Sequence, residues 1–500
     1  MKPSAPSPAP ARGLKGGFAG LSPSRPRSES RRFGLTLLLV WALVFLSRMW
    51  EPGLKLDAMT YAALAKHILS TGDWFTLHYT PAAYANFYQH PPLVIWMQAA
   101  IFKTLGASDM TARVLPALFG LGTVGVVYAW GRRTAGPWVG FVAGVILLSS
   151  PRYVKFATDL FLDGPLAFWL MAGMYLSWRA VLEPDPNVEA HSKESSLSPP
   201  KHWIDAAGAG ACLAAGFMTK GLVAFALPLT VSLLWITNRP SWSNWPRALL
   251  AVAVAGLLVG CWITFGQGDT YLRHYWQDSV TARLAAGSWR EHLDPASALL
   301  RTYWPWLPFF GLGLWTAVHA KEHGFRFAAG LCIVILGAFT YTGHYLDHYL
   351  VPFFPAAALV CAAWLAPRLA PWQQPISRGI FGLAATLIIA LAVLPIPLHS
   401  PRGEPLRSFV QDAERICHVQ SQYLITSQAM ERWMALAVVL WATDRNARAV
   451  ESPPPAASAP DALLVTHTGE TVPLGWIEVQ THSHGATLRL YQPQASTLCH

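Results

Sequence analysis

Apolar stretches of bilayer-crossing length recur along this chain. The first runs from Phe33 to Trp50, and others follow at approximately 114–131, 137–150, 164–182, 203–219, 221–237, 247–266, 303–319, 326–342, 349–366 and 378–396. Each approaches the roughly 20 residues that a helix needs to span the hydrocarbon core. The pattern predicts an all-α polytopic membrane protein with about 11 transmembrane helices, and 11–13 if marginal segments also cross. Arg48, Trp50 and Glu51 offer no small-residue cleavage site, so the first stretch reads as an uncleaved span.

The intervening segments differ in character. Residues 1–32 are rich in Pro, Ser and Arg, cannot bury a core and read as a disordered basic tail. Residues 51–113 hold a short amphipathic helix pattern from Ala58 to Leu69, a Gly72-Asp73 turn and a second apolar segment starting at Pro91-Pro92. Residues 267–302 are rich in Arg, His and Trp. Beyond the transmembrane region, 33–396, the span-length runs end. In 397–500, Tyr423 to Ser427, Ala462 to His467 and Ala486 to Tyr491 alternate like strands, and Ala429 to Thr443 reads as a helix. A small soluble α/β domain is expected there, with Ser452 to Pro460 as an internal linker.

Composition agrees with a membrane bundle. Of 500 residues, 53% are apolar and 13% charged, against about 25% charged in soluble domains. The net charge of +10 is scattered between apolar runs, which favours anionic lipid headgroups over nucleic acid as the counter-charge. The pairs Arg132/Arg133, Arg239/Arg247 and Arg368/Arg378 fall in alternate loops, so the positive-inside rule puts those loops and the N-terminus in the cytoplasm of an inner-membrane protein, with 51–113, 267–302 and the C-terminal domain outside. An oxidising outer compartment would allow Cys417 and Cys499 to pair; two unpaired thiols are the alternative.

Ionisable groups beside a bilayer are costly, and here they gather at one side. Asp57 and His90 lie in the first outer segment, Asp163 starts the fourth span, Lys220 ends the fifth, Arg283 lies in 267–302, His348 ends the ninth and Tyr349 starts the tenth. A cavity at the outer face fits this distribution better than a midplane transport site. Each residue also has a plainer reading: Asp57 and Asp163 as helix N-caps, Lys220 as a snorkelling lysine, Arg283 as a surface arginine and His90 as a structural residue before Pro91.

The ordered motifs are Leu56-Asp57-Ala58-Met59-Thr60-Tyr61-Ala62, Gly72-Asp73-Trp74, Gln89-His90-Pro91-Pro92-Leu93 with Trp96, and Ala112-Arg113-Val114-Leu115-Pro116. They are followed by Gly131-Arg132-Arg133, Asp163-Gly164-Pro165-Leu166, Thr219-Lys220-Gly221 and His348-Tyr349-Leu350-Val351-Pro352. In order and spacing, over about residues 33–366, this set resembles the membrane glycosyltransferases related to protein O-mannosyltransferases, nearest the bacterial lipid A aminoarabinose transferase branch.

The resemblance implies a C-type glycosyltransferase fold and an inverting transfer of a sugar from a polyprenyl-phosphate carrier to a lipid A-like glycolipid or a protein acceptor, at the outer face. It further implies Asp57 as the catalytic carboxylate and Asp163 as a second pocket carboxylate. Lys220, Arg283, His90, Tyr349, Tyr61 and His348 are the candidates for binding the donor phosphate and substrate. Relatives often carry an acid where Gln89 stands, so no obligatory metal is expected, and Ala58-Met59-Thr60 after Asp57 departs from the Asp-Glu-Arg pattern and leaves the sugar open. The alternative is a transporter that flips lipid-linked sugars without making a bond.

Overall fold

The computed structural model describes residues 27–499 apart from 56, 79–85, 182–199, 239–243, 278–290, 321–322, 343–345, 347, 394–403, 418–421, 427–431, 444 and 480–487. The expected basic tail lies outside these over residues 1–26, and the first helix starts at Arg27, inside the stretch read as tail.

In chain order the helices are α1 (Arg27–Phe45), α2 (Asp57–Thr71), α3 (Leu93–Leu105), α4 (Asp109–Ala112), α5 (Val114–Ala135), α6 (Pro137–Leu148), α7 (Pro151–Ala157), α8 (Asp163–Val181) and α9 (Pro200–Lys220). They continue with α10 (Ala226–Asn238), α11 (Trp245–Phe265), α12 (Gly268–His274), α13 (Asp294–Thr302), α14 (Leu307–His319), α15 (His323–Thr342), α16 (Phe353–Leu369) and α17 (Gln373–Val393).

All eleven apolar stretches fall on helices. By length and composition alone, six helical segments among the described residues can cross a membrane, or seven if α6 and α7, bent by 71°, form one broken span. Fewer pass than the sequence pattern suggests because several helices are short, bent or joined end to end. The chain is a multi-pass membrane protein, and its outward surface fits lipid: Leu249, Val252, Leu257 and Phe265 on α11 are exposed, as are Leu383, Leu387 and Ile389 on α17, which in water would be an apolar patch without cover.

Between helices the packing is close. A Cβ on Gly131 of α5 would sit 2.7 Å from the Gly140 Cα of α6, so the two backbones touch as small residues allow in membrane bundles. Two buried indoles find acceptors across helices: Trp138 Nε1 donates to the Ala366 carbonyl at 2.8 Å and Trp41 Nε1 to the Ala117 carbonyl at 3.2 Å, sparing each of these donors the cost of burial without a partner.

Helix α2 departs from the expected amphipathic pattern. Ala58 through Ala65 are all buried, because α2 packs against α3 on one side and the C-terminal domain on another. That domain comprises α18 (Glu404–Ile416), β1 (Gln422–Thr426), α19 (Arg432–Thr443), β2 (Asn446–Val450), β3 (Ala462–His467), β4 (Trp476–Val479) and β5 (Leu488–Pro493). The sheet order is β2-β1-β3-β5-β4, parallel across β2-β1-β3 and antiparallel across β3-β5-β4. The parallel strands β1 and β3 are buried on both faces, as central parallel strands are. The sequence pattern finds β1, β3 and β5; it misses β2, whose apolar positions before Val450 are only alanines, and β4, which is only four residues long. Cys417 and Cys499 form a disulfide and close the domain on its last strand.

Candidate active site

Local sequence delivers three charges to one place. Asp57 is the first residue of α2 and Asp163 the first of α8, positions where the helix dipole and free N–H groups favour a carboxylate. In α8 the early Pro165 sets the helical turn without losing a needed donor. Lys220 is the last residue of α9, where a cation is favoured. The helix stops there because Gly221 takes φ +65°, a conformation open to glycine. A Cβ on Gly221 would lie 2.6 Å from the Tyr275 Oη, and that oxygen accepts the Leu222 N–H at 3.4 Å.

These groups meet. Lys220 Nζ donates to Asp163 Oδ1 at 2.5 Å, with the Lys220 side chain 7% and the Asp163 side chain 3% exposed. The ammonium therefore does not snorkel to the interface, and Asp163 is more than a cap. Lys220 Nζ also stands 4.6 Å from the centre of the Tyr349 ring, a cation–π contact. His348 Nε2 is 3.9 Å from both Asp57 Oδ2 and Asp163 Oδ2. The imidazole is held edge-on to Tyr349 and flanked by Phe156 and Phe161 at ring distances of 5.7 Å each.

Asp57 is the most open of the set, with 29% of its side chain exposed. Burial pushes its carboxyl up from the ordinary 3.8 to about 6; the nearby Lys220 ammonium pulls it down, and Asp163 pushes it further up. The result is a carboxylate largely ionised near neutral pH yet basic enough to take a proton.

Tyr61 follows one turn after Asp57 on α2 and packs edge-on to His90 at 6.0 Å, with Phe87 completing the cluster. Tyr61 and His90 thus form a wall beside Asp57, linked to it through α2, whereas Asp57, Asp163, Lys220, His348 and Tyr349 form the charged centre. Arg283 lies outside the described residues.

One brace is absent from the predicted set. Arg113, 2% exposed, donates through Nη1 to the Glu51 carbonyl at 2.6 Å and through Nη2 to the Gly53 carbonyl, and its Nε is 3.6 Å from Asp159 Oδ1. Asp159 also accepts the Lys55 N–H at 3.3 Å. This buried pair fixes the segment that leads into Asp57. Its signal was available: Arg113 sits in the Ala112-Arg113-Val114 motif, but nothing in the sequence pairs it with Asp159. Among the described residues, no group of three or more His, Cys, Asp or Glu side chains is arranged to hold a metal ion.

Comparison with known proteins adds an independent measure. The dolichyl-phosphate-mannose-protein mannosyltransferase family description matches residues 34–269. The undecaprenyl phosphate-alpha-4-amino-4-deoxy-L-arabinose arabinosyl transferase 2 of Sodalis glossinidius is 24% identical over 389 residues, 73% of this chain and 66% of that protein. The corresponding transferase of Pseudomonas aeruginosa is 25% identical over 401 residues, 76% of this chain and 69% of that protein. This chain thus spans a little under two thirds of the Sodalis protein's length. Among solved structures, ArnT from Cupriavidus metallidurans bound to undecaprenyl phosphate aligns with TM-score 0.69 at 18% identity, covering 95% of this chain and 100% of that one. The archaeal oligosaccharyltransferase AglB from Archaeoglobus fulgidus aligns with TM-score 0.58 at 11% identity, covering 88% and 69%. These likenesses establish the fold.

Proposed function

We propose, from the premise that residues 34–269 are a domain of the dolichyl-phosphate-mannose-protein mannosyltransferase family, that this chain is a membrane glycosyltransferase. It moves a sugar from a polyprenyl-phosphate carrier to a lipid A-like glycolipid or a protein acceptor. The observation that carries this reading is the meeting of Asp57, Asp163, Lys220 and His348, supplied by four distant segments, around one carboxylate raised to about 6.

In the reaction, the acceptor oxygen attacks the anomeric carbon from the side opposite the phosphate. A new glycosidic bond forms as the bond to the phosphate oxygen breaks, and the configuration inverts. Asp57 takes the proton of the attacking group as general base. The electron pair leaves on the lipid phosphate, and Lys220 meets it: one of its three N–H donors is engaged by Asp163 and the others are free to turn to the phosphate. Asp163 holds the ammonium in place, Tyr349 and the Phe156–Phe161 pair hold Lys220 and His348, and Tyr61 with His90 shapes the wall where substrate lies. Arg283, a candidate for the donor phosphate from the sequence, lies outside the described residues. No step requires a metal ion.

The division is a cytoplasmic tail over 1–32, a catalytic membrane region over 33–396 and a small soluble domain on the outer face over 397–500, with the N-terminus cytoplasmic. The resemblance of this chain to undecaprenyl phosphate-alpha-4-amino-4-deoxy-L-arabinose arabinosyl transferases supports an undecaprenyl-phosphate donor. The test is reconstitution in liposomes with undecaprenyl-phosphate-linked aminoarabinose and lipid A, followed by mass spectrometry. A glycosylated acceptor is expected. Transbilayer movement of the labelled donor with no new bond would replace the enzyme by a flippase.

A further inference from the structure

A second site stands at the opposite end of the bundle. Helix α1 and the 3-10 turn Leu46–Arg48 after it run from Arg32 toward Arg48, whose guanidinium bonds Glu51 close to the catalytic segment. At 1.5 Å per residue, Arg32 is about 24 Å away along that axis, roughly a bilayer core from Asp57. There α1 and α17 enclose a cleft of about 360 Å³.

Its lining is graded along both helices. Glu29 and Arg32 on α1, with Gln374, Ser377 and Arg378 on α17, lie at the helix starts, and Phe33, Leu35 and Phe381 follow further in. Helix α1 begins near this face, and α17 leaves it after a 3-10 turn at Ala370–Trp372. Arg32 and Arg378 are exposed, and among the described residues neither guanidinium has a hydrogen-bond or ion-pair partner. With Glu29 the charged lining sums to one positive charge. Leu35, 51% exposed, and Phe381, 39% exposed, continue the cleft toward the bilayer centre.

We propose that this cleft binds one anionic glycerophospholipid, its monoanionic phosphodiester between Arg32 and Arg378 and an acyl chain along Leu35 and Phe381. Two guanidinium groups on separate helices can each present paired N–H donors to phosphate oxygens, and one phosphodiester cancels the surplus charge. Gln374 and Ser377 supply hydrogen bonds for a glycerol headgroup, which a choline headgroup cannot return. The bound lipid joins the first span to the last apolar one, in the leaflet away from the transfer site.

The experiment uses the full chain in nanodiscs and counts retained lipid by native mass spectrometry, with phosphatidylglycerol or phosphatidylcholine as the lipid. Wild type is expected to retain one phosphatidylglycerol that phosphatidylcholine does not replace. R32Q/R378Q is expected to bind it at least about tenfold more weakly, from the loss of charge-assisted bonds, and R32K/R378K to fall between. Equal retention by wild type and R32Q/R378Q overturns the proposal, as does equal occupancy by phosphatidylcholine. Inorganic phosphate is expected to leave the lipid in place; its displacing the lipid at millimolar concentration would make the cleft an anion site only. Thermal unfolding of each variant, expected to match wild type in phosphatidylcholine, separates lost binding from lost folding; a variant that fails this check is replaced by Phe381→Asn, which removes the apolar contact for the acyl chain without adding a charge and is expected to bind the lipid more weakly, equal retention again overturning the proposal.

Discussion

Replacing Asp57 by Asn should make this protein more stable and nearly inactive. A carboxyl held at about 6 instead of 3.8 is harder to ionise in the folded chain. At 1.36 kcal/mol per tenfold, the cost is on the order of 3 kcal/mol; allowing for the 29% of the side chain that water reaches, about 2 kcal/mol remains. The sign follows from linkage. Well below 3.8 the carboxyl is neutral in both folded and unfolded chains and costs nothing. As pH rises from about 4 to about 6 the unfolded chain releases its proton first, and the folded state loses that stability. Asn carries no charge and escapes the loss. Asp57→Asn should therefore raise the midpoint of thermal unfolding in detergent by about 2 °C at pH 7.5, given roughly 1 kcal/mol per degree for 500 residues, and by well under about 1 °C at pH 4. Loss of the base should lower turnover by about 10²–10⁴, and wild-type turnover should rise with pH through about 6. A variant that is less stable at pH 7.5, or equally shifted at both pH values, would refute the electrostatic account. One that turns over like wild type would remove Asp57 from the base role.

Three further outcomes are expected. Lys220→Met leaves Asp163 buried without its counter-charge, which should cost about 3–5 kcal/mol; adding Asp163→Asn should recover most of that stability in thermal unfolding but no transfer activity. Cys417→Ser with Cys499→Ser opens a loop of 82 residues and should cost the C-terminal domain about 2–5 kcal/mol, read as faster proteolysis beyond residue 404 without reductant. Asp109→Ala removes the acceptor shared by Gly53 N–H at 2.7 Å, Trp441 Nε1 at 3.0 Å and Arg407 at 2.6 Å; hydrogen exchange in α19 should rise about tenfold or more as the C-terminal domain loosens from α2.

The sequence by itself determined what local periodicity and local chemistry can determine. Runs of apolar residues placed the helices, the change of pattern after the last run marked a domain with strands, and the Thr219-Lys220-Gly221 and Asp163-Gly164-Pro165 motifs marked the helix ends where charges collect. Scarcity helped: where few residues are charged, each one beside an apolar run stands out.

Tertiary structure alone decided which of them meet. Lys220 is 57 residues from Asp163, and His348 is brought beside both carboxylates by a separate turn; no periodicity encodes contacts at such separation. The same reason hid the Arg113–Asp159 brace, the burial of α2 on nearly all sides, and the short strands β2 and β4, which exist because neighbours supply their hydrogen bonds. Local sequence sets where a helix ends and which charge sits there, and only the packing of distant segments sets that charge's partner, its burial and its readiness to take a proton.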